Sequence, residues 1–245
     1  MPEEVTFRQI GEWNVKLAGC EPGEVVAWAV DQFGDGLALA CSFSVEDTTL
    51  VHLLAAQAVK PRVFALDTGR LPEETYQTAA AVAERYQVGI EWYYPEAVAV
   101  EQLLREKGPY SFRLSLENRH ECCRIRKVEP LRRALAGRSA WMTGLRRGQS
   151  VTRVDTDMVE LDPVHGNIVK INPLARWTGE QVRAFAAAEG IPIHPLHDQG
   201  YPSIGCAPCT RAVAAGEHER AGRWWWEAPE HKECGLHPRR LSNTA

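Results

Sequence analysis

Seven cysteines in a chain of 245 residues sort by spacing into three groups. Cys122-Cys123 and Cys206-Ala207-Pro208-Cys209 are two close pairs separated by 83 residues. Four thiolates from two segments complete a tetrahedral metal site or hold a four-iron cluster. Structural zinc usually uses two C-x₂₋₄-C knuckles, and adjacent cysteines reach one small ion only with strained geometry. They reach two different irons of a larger cube more easily, so the spacing favours an iron–sulfur cluster over zinc. The alternatives are two unrelated thiol pairs, or a C-x-x-C redox dithiol lying outside the βαβ context that motif needs. Cys234 stands apart in Lys232-Glu233-Cys234-Gly235-Leu236-His237, a polar stretch that reads as an exposed tail. A thiol beside Lys232 and His237 suits a nucleophile. An idle surface cysteine is the plainer alternative. Cys20 and Cys41 read as structural.

Charge is unevenly spread. The chain carries 28 Lys+Arg against 32 Asp+Glu, a net of −4. Between Glu101 and Arg153, however, 13 Lys/Arg face 5 Asp/Glu. An acidic protein with one basic block suits a small anionic ligand better than a nucleic acid. A solvated helix face explains the same block without function. No apolar run approaches the ~18 residues of a membrane span. Met1-Pro2-Glu3-Glu4 opens no signal peptide, and an odd set of cysteines argues against a disulfide framework. A cytoplasmic protein is expected. A homo-oligomer is compatible with the sequence.

These groups need a scaffold. Leu37–Ala40, Arg62–Leu66 and Ile90–Tyr94 read as strands, and Ala140–Met142 as a fourth. Asp47-Thr48-Thr49 is expected to cap a helix running through Leu50, Leu53, Leu54 and Val59 and stopped by Pro61. Pro72 opens a helix to about Tyr86. A helix over Glu121–Ala136 is interrupted by Pro130. Met158–Leu161 and Ile168–Ile171 pair as a hairpin around His165-Gly166-Asn167. Thr178 with Gln181 forms a capping box for a helix ending near Gly190. Beyond that, only a short helix after Cys209 is expected, and the tail after Arg223 reads as mobile. The alternation predicts an α/β fold with a twisted, largely parallel sheet flanked by helices. Residues 1–223 form one domain and 224–245 a flexible segment carrying Cys234. Ligands in such sheets sit beyond the carboxyl ends of the strands, where Ser42–Asp47, Asp67–Gly69 and Thr143–Arg147 fall. Ser42–Asp47 opens a helix whose N–H groups hold an anion, but it is no Walker A loop.

The ordered set of Cys122-Cys123-Arg124-Ile125-Arg126-Lys127, Cys206-Ala207-Pro208-Cys209 and Glu233-Cys234-Gly235-Leu236-His237 resembles assimilatory adenylyl-sulfate (APS) reductases. Ser42-Phe43-Ser44, Leu66-Asp67-Thr68-Gly69, Gly144-Leu145-Arg146-Arg147 and Arg220-Ala221-Gly222-Arg223-Trp224-Trp225-Trp226-Glu227 fit the same family in order, over about residues 30–237. The first loop departs mildly, with Val45 where many members have a small residue before Glu-Asp. The resemblance implies an adenine-nucleotide α-hydrolase-like, PP-loop-related fold. It implies reduction of APS by thioredoxin to sulfite and AMP, in sulfate assimilation toward cysteine. Carried onto this chain, Cys234 attacks sulfur and forms an S-sulfocysteine. Cys122, Cys123, Cys206 and Cys209 hold a [4Fe–4S] cluster, with Lys127 between cluster and substrate. Arg220, Arg223 and His237 contact the phosphosulfate. Ser42, Ser44, Leu66, Asp67, Thr68 and Gly69 hold the nucleotide, and Gly144, Arg146 and Arg147 line the site.

The chemistry suits these residues. At 4 Å, two like unit charges repel by about 4 kcal/mol at an effective dielectric of 20. Fixed cations offset that repulsion as a thiolate meets a phosphosulfate. Lys127 stands four residues beyond Cys123, about one helical turn, which suggests a cluster that positions Lys127 rather than one that delivers electrons. Reduction of the 3′-phosphorylated analogue, PAPS, by the same mechanism is the nearest alternative. An iron–sulfur nucleotide sensor needs no Cys234. An ATP-splitting ligase of the related fold needs a Ser-Gly-Gly-x-Asp-Ser loop that is absent.

Overall fold

Six short strands form in a computed structural model that describes residues 5–57 and 62–237. They are β1 (Leu37–Ala40), β2 (Val63–Leu66), β3 (Ile90–Tyr93), β4 (Ala140–Met142), β5 (Val159–Asp162) and β6 (Ile168–Ile171). Eight helices accompany them: α1 (Phe7–Lys16), α2 (Pro22–Phe33), α3 (Val45–Ala55), α4 (Glu73–Tyr86), α5 (Ala97–Lys107), α6 (Leu116–Cys123), α7 (Glu129–Leu135) and α8 (Gly179–Ala188). The strands form one sheet in the order β3-β2-β1-β4-β6-β5. All neighbours run parallel except β5, which pairs antiparallel with β6 as the expected hairpin.

Both faces of the central strands are covered, which is why β1 and β4 read as unbroken apolar runs. Leu37 and Leu39 point into a core shared with α2, α3 and α8. Ala38, Phe64 and Trp141 point the other way, onto Leu131, Ala134 and Leu135 of α7. A third, smaller apolar cluster lies apart from the sheet. It gathers the four paired cysteines around Phe112 and Trp224.

Several local expectations shift. The α3 helix starts at Val45, ahead of Asp47, because Ser44 takes the extended N-cap conformation. Its expected end at Val59–Pro61 lies outside the described residues. Pro72 is the N-cap of α4 rather than its first helical residue. The α5 helix had no counterpart in the sequence reading, since only Leu103 of its residues is buried. The irregularity expected at Pro130 lies earlier, as a π-helical turn over Arg124–Val128 that joins α6 to α7. Such turns concentrate at functional sites, and this one contains Lys127. Among the described residues no α-helix follows Cys209; a 3₁₀ turn over Ala207–Cys209 ends on it instead. No helix of the described residues is long and apolar enough to cross a membrane.

Candidate active site

The chain leaves β1 toward β2 and β3, then returns to place β4 on β1's other side. That reversal opens a crevice beyond the carboxyl ends of β1 and β4. On one lip, the Asp47 carboxylate accepts the Ser42 N–H and hydroxyl, both at 2.6 Å, and the Ser44 hydroxyl at 3.5 Å. Burial pushes Asp47 up to about 6, although the Ser42 bonds oppose that shift. Between the serines, buried Phe43 takes φ 62°. A bulky residue accepts that left-handed conformation only where its surroundings dictate it. The other lip comes so close that a Cβ on Gly144 would stand 2.7 Å from the Glu46 Cβ and collide with Asp47. Glycine is required there by proximity, not by its φ.

Above this crevice lies a cavity of about 190 Å³. Ser42, Ser44, Leu66, Thr68 and Gly144 line it from the sheet side. Lys127, Arg220, Arg223, Cys234 and His237 close it from the cysteine side. Asp67 and Gly69 are not on its wall. They build the supporting turn, in which Gly69 N–H donates to Asp67 Oδ1 at 2.7 Å and Tyr76 OH to Oδ2 at 2.9 Å. Arg146 and Arg147 also stand off the wall. Arg146 is 2% exposed and fully engaged, paired with Glu46 at 2.8 Å and Glu219 at 2.7 Å. Arg147 turns toward the Thr156 carbonyl and Asp157. Both residues brace the lip rather than present free charge.

The cysteine side is electrostatically different. Arg220 Nε, Arg223 Nε, Trp224 Nε1 and His237 Nδ1 are buried without a hydrogen-bond partner. Buried polar groups are nearly always paired, so these atoms mark a place for a hydrogen-bonding ligand. Burial, reinforced by Arg153, pulls Arg220 down to about 9. His237 is pushed well below its ordinary value by burial and by Lys170, and its ring stacks on Trp141 at 5.5 Å. The half-buried Cys234 faces the same cavity.

Behind this wall a second, small cavity is lined by Cys122, Cys123, Cys206 and Cys209. Arg70, Arg119, Arg126, Lys127 and Arg223 surround the same space. Burial pushes Cys123 up to about 12 and Cys209 to about 11. Cys206 is lowered: burial opposes its thiolate, but Lys127, the Thr68 hydroxyl at 3.3 Å, Arg223 and Arg126 prevail. Lys127 is raised for the reciprocal reason. Burial works against its charge, while the Cys206 and Cys234 sulfurs more than offset it. Four soft donors inside a ring of cations match an anionic thiolate-bound cluster in chemistry. Among the described residues, no three His, Cys, Asp or Glu side chains are gathered as they would be around a metal ion. Lys127, Arg223 and Trp224 line both cavities and so form their common wall.

The tail is placed by contacts that sequence reading did not identify. Trp224–His237 does not hang free. Arg119 holds Glu227 through two bonds, at 3.0 and 2.8 Å. Arg153 holds the Glu233 carboxylate at 2.9 Å. Cys234, expected to be exposed, is therefore drawn into the cavity wall. Arg220 lies in a turn and Arg223 in an isolated antiparallel bridge with Thr210. Residues 238–245 lie outside the described part. Among the missed residues, Glu46, Arg119, Arg153 and Glu219 form contacts spanning 73 to 108 positions, which no local motif marks. Only their charge, in or beside recognisable motifs, hinted at them.

Known proteins give this arrangement a family. The phosphoadenosine phosphosulfate reductase domain matches residues 36–212. The adenosine 5′-phosphosulfate reductase of Allochromatium vinosum is 50% identical over 208 residues, covering 85% of this chain and 81% of that protein. The chloroplastic 5′-adenylylsulfate reductase 3 of Arabidopsis thaliana is 47% identical over 95% of this chain, which spans 52% of that longer protein. The crystal structure of phosphoadenylyl-sulfate reductase from Candida auris, a phosphate complex, superposes with a TM-score of 0.72 at 28% identity, covering 86% of this chain and 99% of that one. A Candida glabrata FMN adenylyltransferase at 12% identity and a TM-score of 0.55, covering 80% and 67% of the two chains, shares the sheet architecture alone. With a crevice at the β1/β4 switch point and matches of this extent, the chain belongs to the phosphoadenosine phosphosulfate reductase domain family.

Proposed function

We propose that this protein reduces APS to sulfite and AMP in sulfate assimilation, with Cys234 as nucleophile and a thioredoxin-type dithiol as reductant. The observation that carries the reading is that Cys234, Arg220 and Arg223 line one cavity, and the Nε atoms of both arginines have no protein partner. A thiol and unmet cationic donors around a nucleotide-sized space suit a phosphosulfate. The Cys234 thiolate attacks the sulfonyl sulfur, the S–O bond breaks, and the electron pair leaves on AMP. Arg220, Arg223 and Lys127 neutralise the approaching charges and the departing phosphate. The sulfonate remains on Cys234. A thiolate of the reductant then attacks Cys234 Sγ and expels sulfite. The second thiol resolves the mixed disulfide, so the dithiol supplies both electrons. The lip of Ser42, Ser44, Thr68 and Gly144 holds the nucleoside.

Cys122, Cys123, Cys206 and Cys209 are proposed to hold a [4Fe–4S] cluster, supported by their shared cavity and its ring of cations. When bound, the cluster supplies a fixed anionic field and a rigid wall. Lys127, at the boundary, carries positive charge toward the substrate side. Because the reaction requires thiols kept reduced, the setting we propose is cytoplasmic.

The test mixes purified protein with APS or PAPS, without reductant, and measures intact mass. A sulfonate adduct is expected on the wild type with APS and not on Cys234→Ser. An adduct formed only with PAPS would reassign the substrate. Absence of adduct with either nucleotide would defeat the reading.

A further inference from the structure

The residue that positions the nucleophile is not in the nucleotide cavity. Arg119 lies on α6, in the turn preceding Cys122 and Cys123, and its side chain has no exposed surface. Its guanidinium meets the tail on three sides and also stands against Cys123 at the edge of the cysteine cavity. Nε and Nη2 grip the Glu227 carboxylate, at 3.0 and 2.8 Å. Nη2 also donates to the His231 carbonyl at 2.5 Å, and Nη1 donates to the carbonyl of Glu233. The plane lies over the Trp224 ring at 4.7 Å. Cys234 is the next residue after Glu233. The fork therefore fixes the peptide carbonyl immediately preceding the nucleophile, together with two earlier points of the tail.

We propose that Arg119 is a positioning residue. It couples the helix bearing the first cysteine pair to the tail, and so sets where Cys234 Sγ stands in the cavity. The inference rests on the reading of Cys234 as nucleophile. Three considerations favour this role over ordinary packing. A buried guanidinium with a single carboxylate partner normally satisfies its other N–H groups on nearby backbone, whereas these reach residues 112 and 114 positions away. The bidentate pair with Glu227 fixes direction as well as distance. Arg119 is also absent from the nucleotide cavity's lining but stands at the cysteine cavity, so its effect on chemistry passes through the tail or through the cysteine pairs, and bound iron separates the two. Arg153 and Thr152 hold the Glu233 side chain from the opposite flank, at 2.9 and 2.7 Å. The residue before the nucleophile is thus gripped at its carbonyl by one element and at its carboxylate by another.

The experiment uses iron-loaded protein with Arg119→Gln, Glu227→Gln and the double substitution. Four quantities are read: alkylation rate of Cys234 by iodoacetamide followed by peptide mass, AMP affinity, kcat and KM with APS, and bound iron. Loss of one partner of a buried pair is costly, so each single variant should alkylate Cys234 at least about tenfold faster. The value of kcat should fall about tenfold or more, while AMP affinity stays within about twofold. The double variant should be no worse than Arg119→Gln, because that single change already removes the Glu227 pair together with the bonds to the His231 and Glu233 carbonyls. Unchanged Cys234 alkylation and kcat in both single variants would overturn the proposal. If Arg119→Gln loses iron, Glu227→Gln decides, since Glu227 lines neither cavity. Release of the tail with iron retained upholds the role, and a docked tail overturns it. Failure of wild-type protein to form the Cys234 adduct would defeat the nucleophile reading separately, because protection from alkylation requires no turnover.

Discussion

Two groups of buried arginines flank the same cavity and behave in opposite ways. On the sheet side, Arg146 is saturated: Glu46, Glu219 and Gln149 close around it, and Glu46 is held in turn by Gln149. On the tail side, Arg220 and Arg223 each use one N–H on a backbone carbonyl, Lys232 O at 2.5 Å and Ile204 O at 2.9 Å, Arg220 adds a longer ion pair with Glu233 at 3.5 Å, and both leave Nε unmet. Sequence treats all three alike, as basic residues in matching motifs. The structure divides them into one that builds the cavity and two that wait for its occupant. Burial of a cation is therefore not a sign of function by itself. The unfilled donor beside it is the discriminating feature.

The sharpest way to break this contrast is Arg146→Gln. It strands the buried Glu46 carboxylate and releases the partly exposed Glu219, and removing one partner of a buried pair costs about 3–5 kcal/mol. Urea unfolding should show that loss, while the folded fraction keeps its turnover with APS. If turnover collapses and stability does not, Arg146 belongs with the substrate-facing group. The reciprocal change is Arg223→Gln. It should lower kcat/KM for APS by roughly 10²–10³-fold, the scale for one donor aimed at developing charge. Its melting temperature should change little, because only the Ile204 carbonyl bond and the stack on Trp224 at 4.6 Å are lost and no carboxylate is left unpaired. Bound iron, measured alongside, should be retained. A large fall in stability would make Arg223 a second Arg146.

The difference between the two sides also explains what was legible in advance. The strands were readable because Leu37–Ala40 and Ala140–Met142 are apolar runs that sheets buried on both faces demand. The thiol pairs and Cys234 were readable because their chemistry is carried by residue type at short spacing. The α5 helix was not, since Leu103 alone gives its face an inward anchor. The π turn at Arg124–Val128 was displaced onto Pro130, because proline advertises a break and a change of backbone hydrogen-bond pattern does not. Least legible were the partners. Arg119 with Glu227, and Arg146 with Glu46, meet only after the sheet and the tail have folded. The same is true of Arg146's saturation, which removed it from the nucleotide cavity that its motif suggested.

The smallest predicted effect lies on the saturated side, at Asp47. Its ordinary value of 3.8 rises to about 6 in the folded protein, chiefly through burial. Between those values the folded state binds more protons than the unfolded chain, so stability falls as pH rises from about 4 to about 6. Above pH 6 the full cost is present, about 3 kcal/mol at 1.36 kcal/mol per unit. Asp47→Asn keeps an oxygen to accept from Ser42 but carries no charge. Its stability should exceed that of the wild type at pH 7 and converge with it near pH 4, by urea unfolding at each pH. Parallel profiles across that window would mean that the Ser42 bonds fully offset the burial of the carboxylate. In that case the lip would carry no electrostatic strain, and the contrast between a costly but satisfied side and a costly, unsatisfied one would narrow to the unmet donors of Arg220 and Arg223.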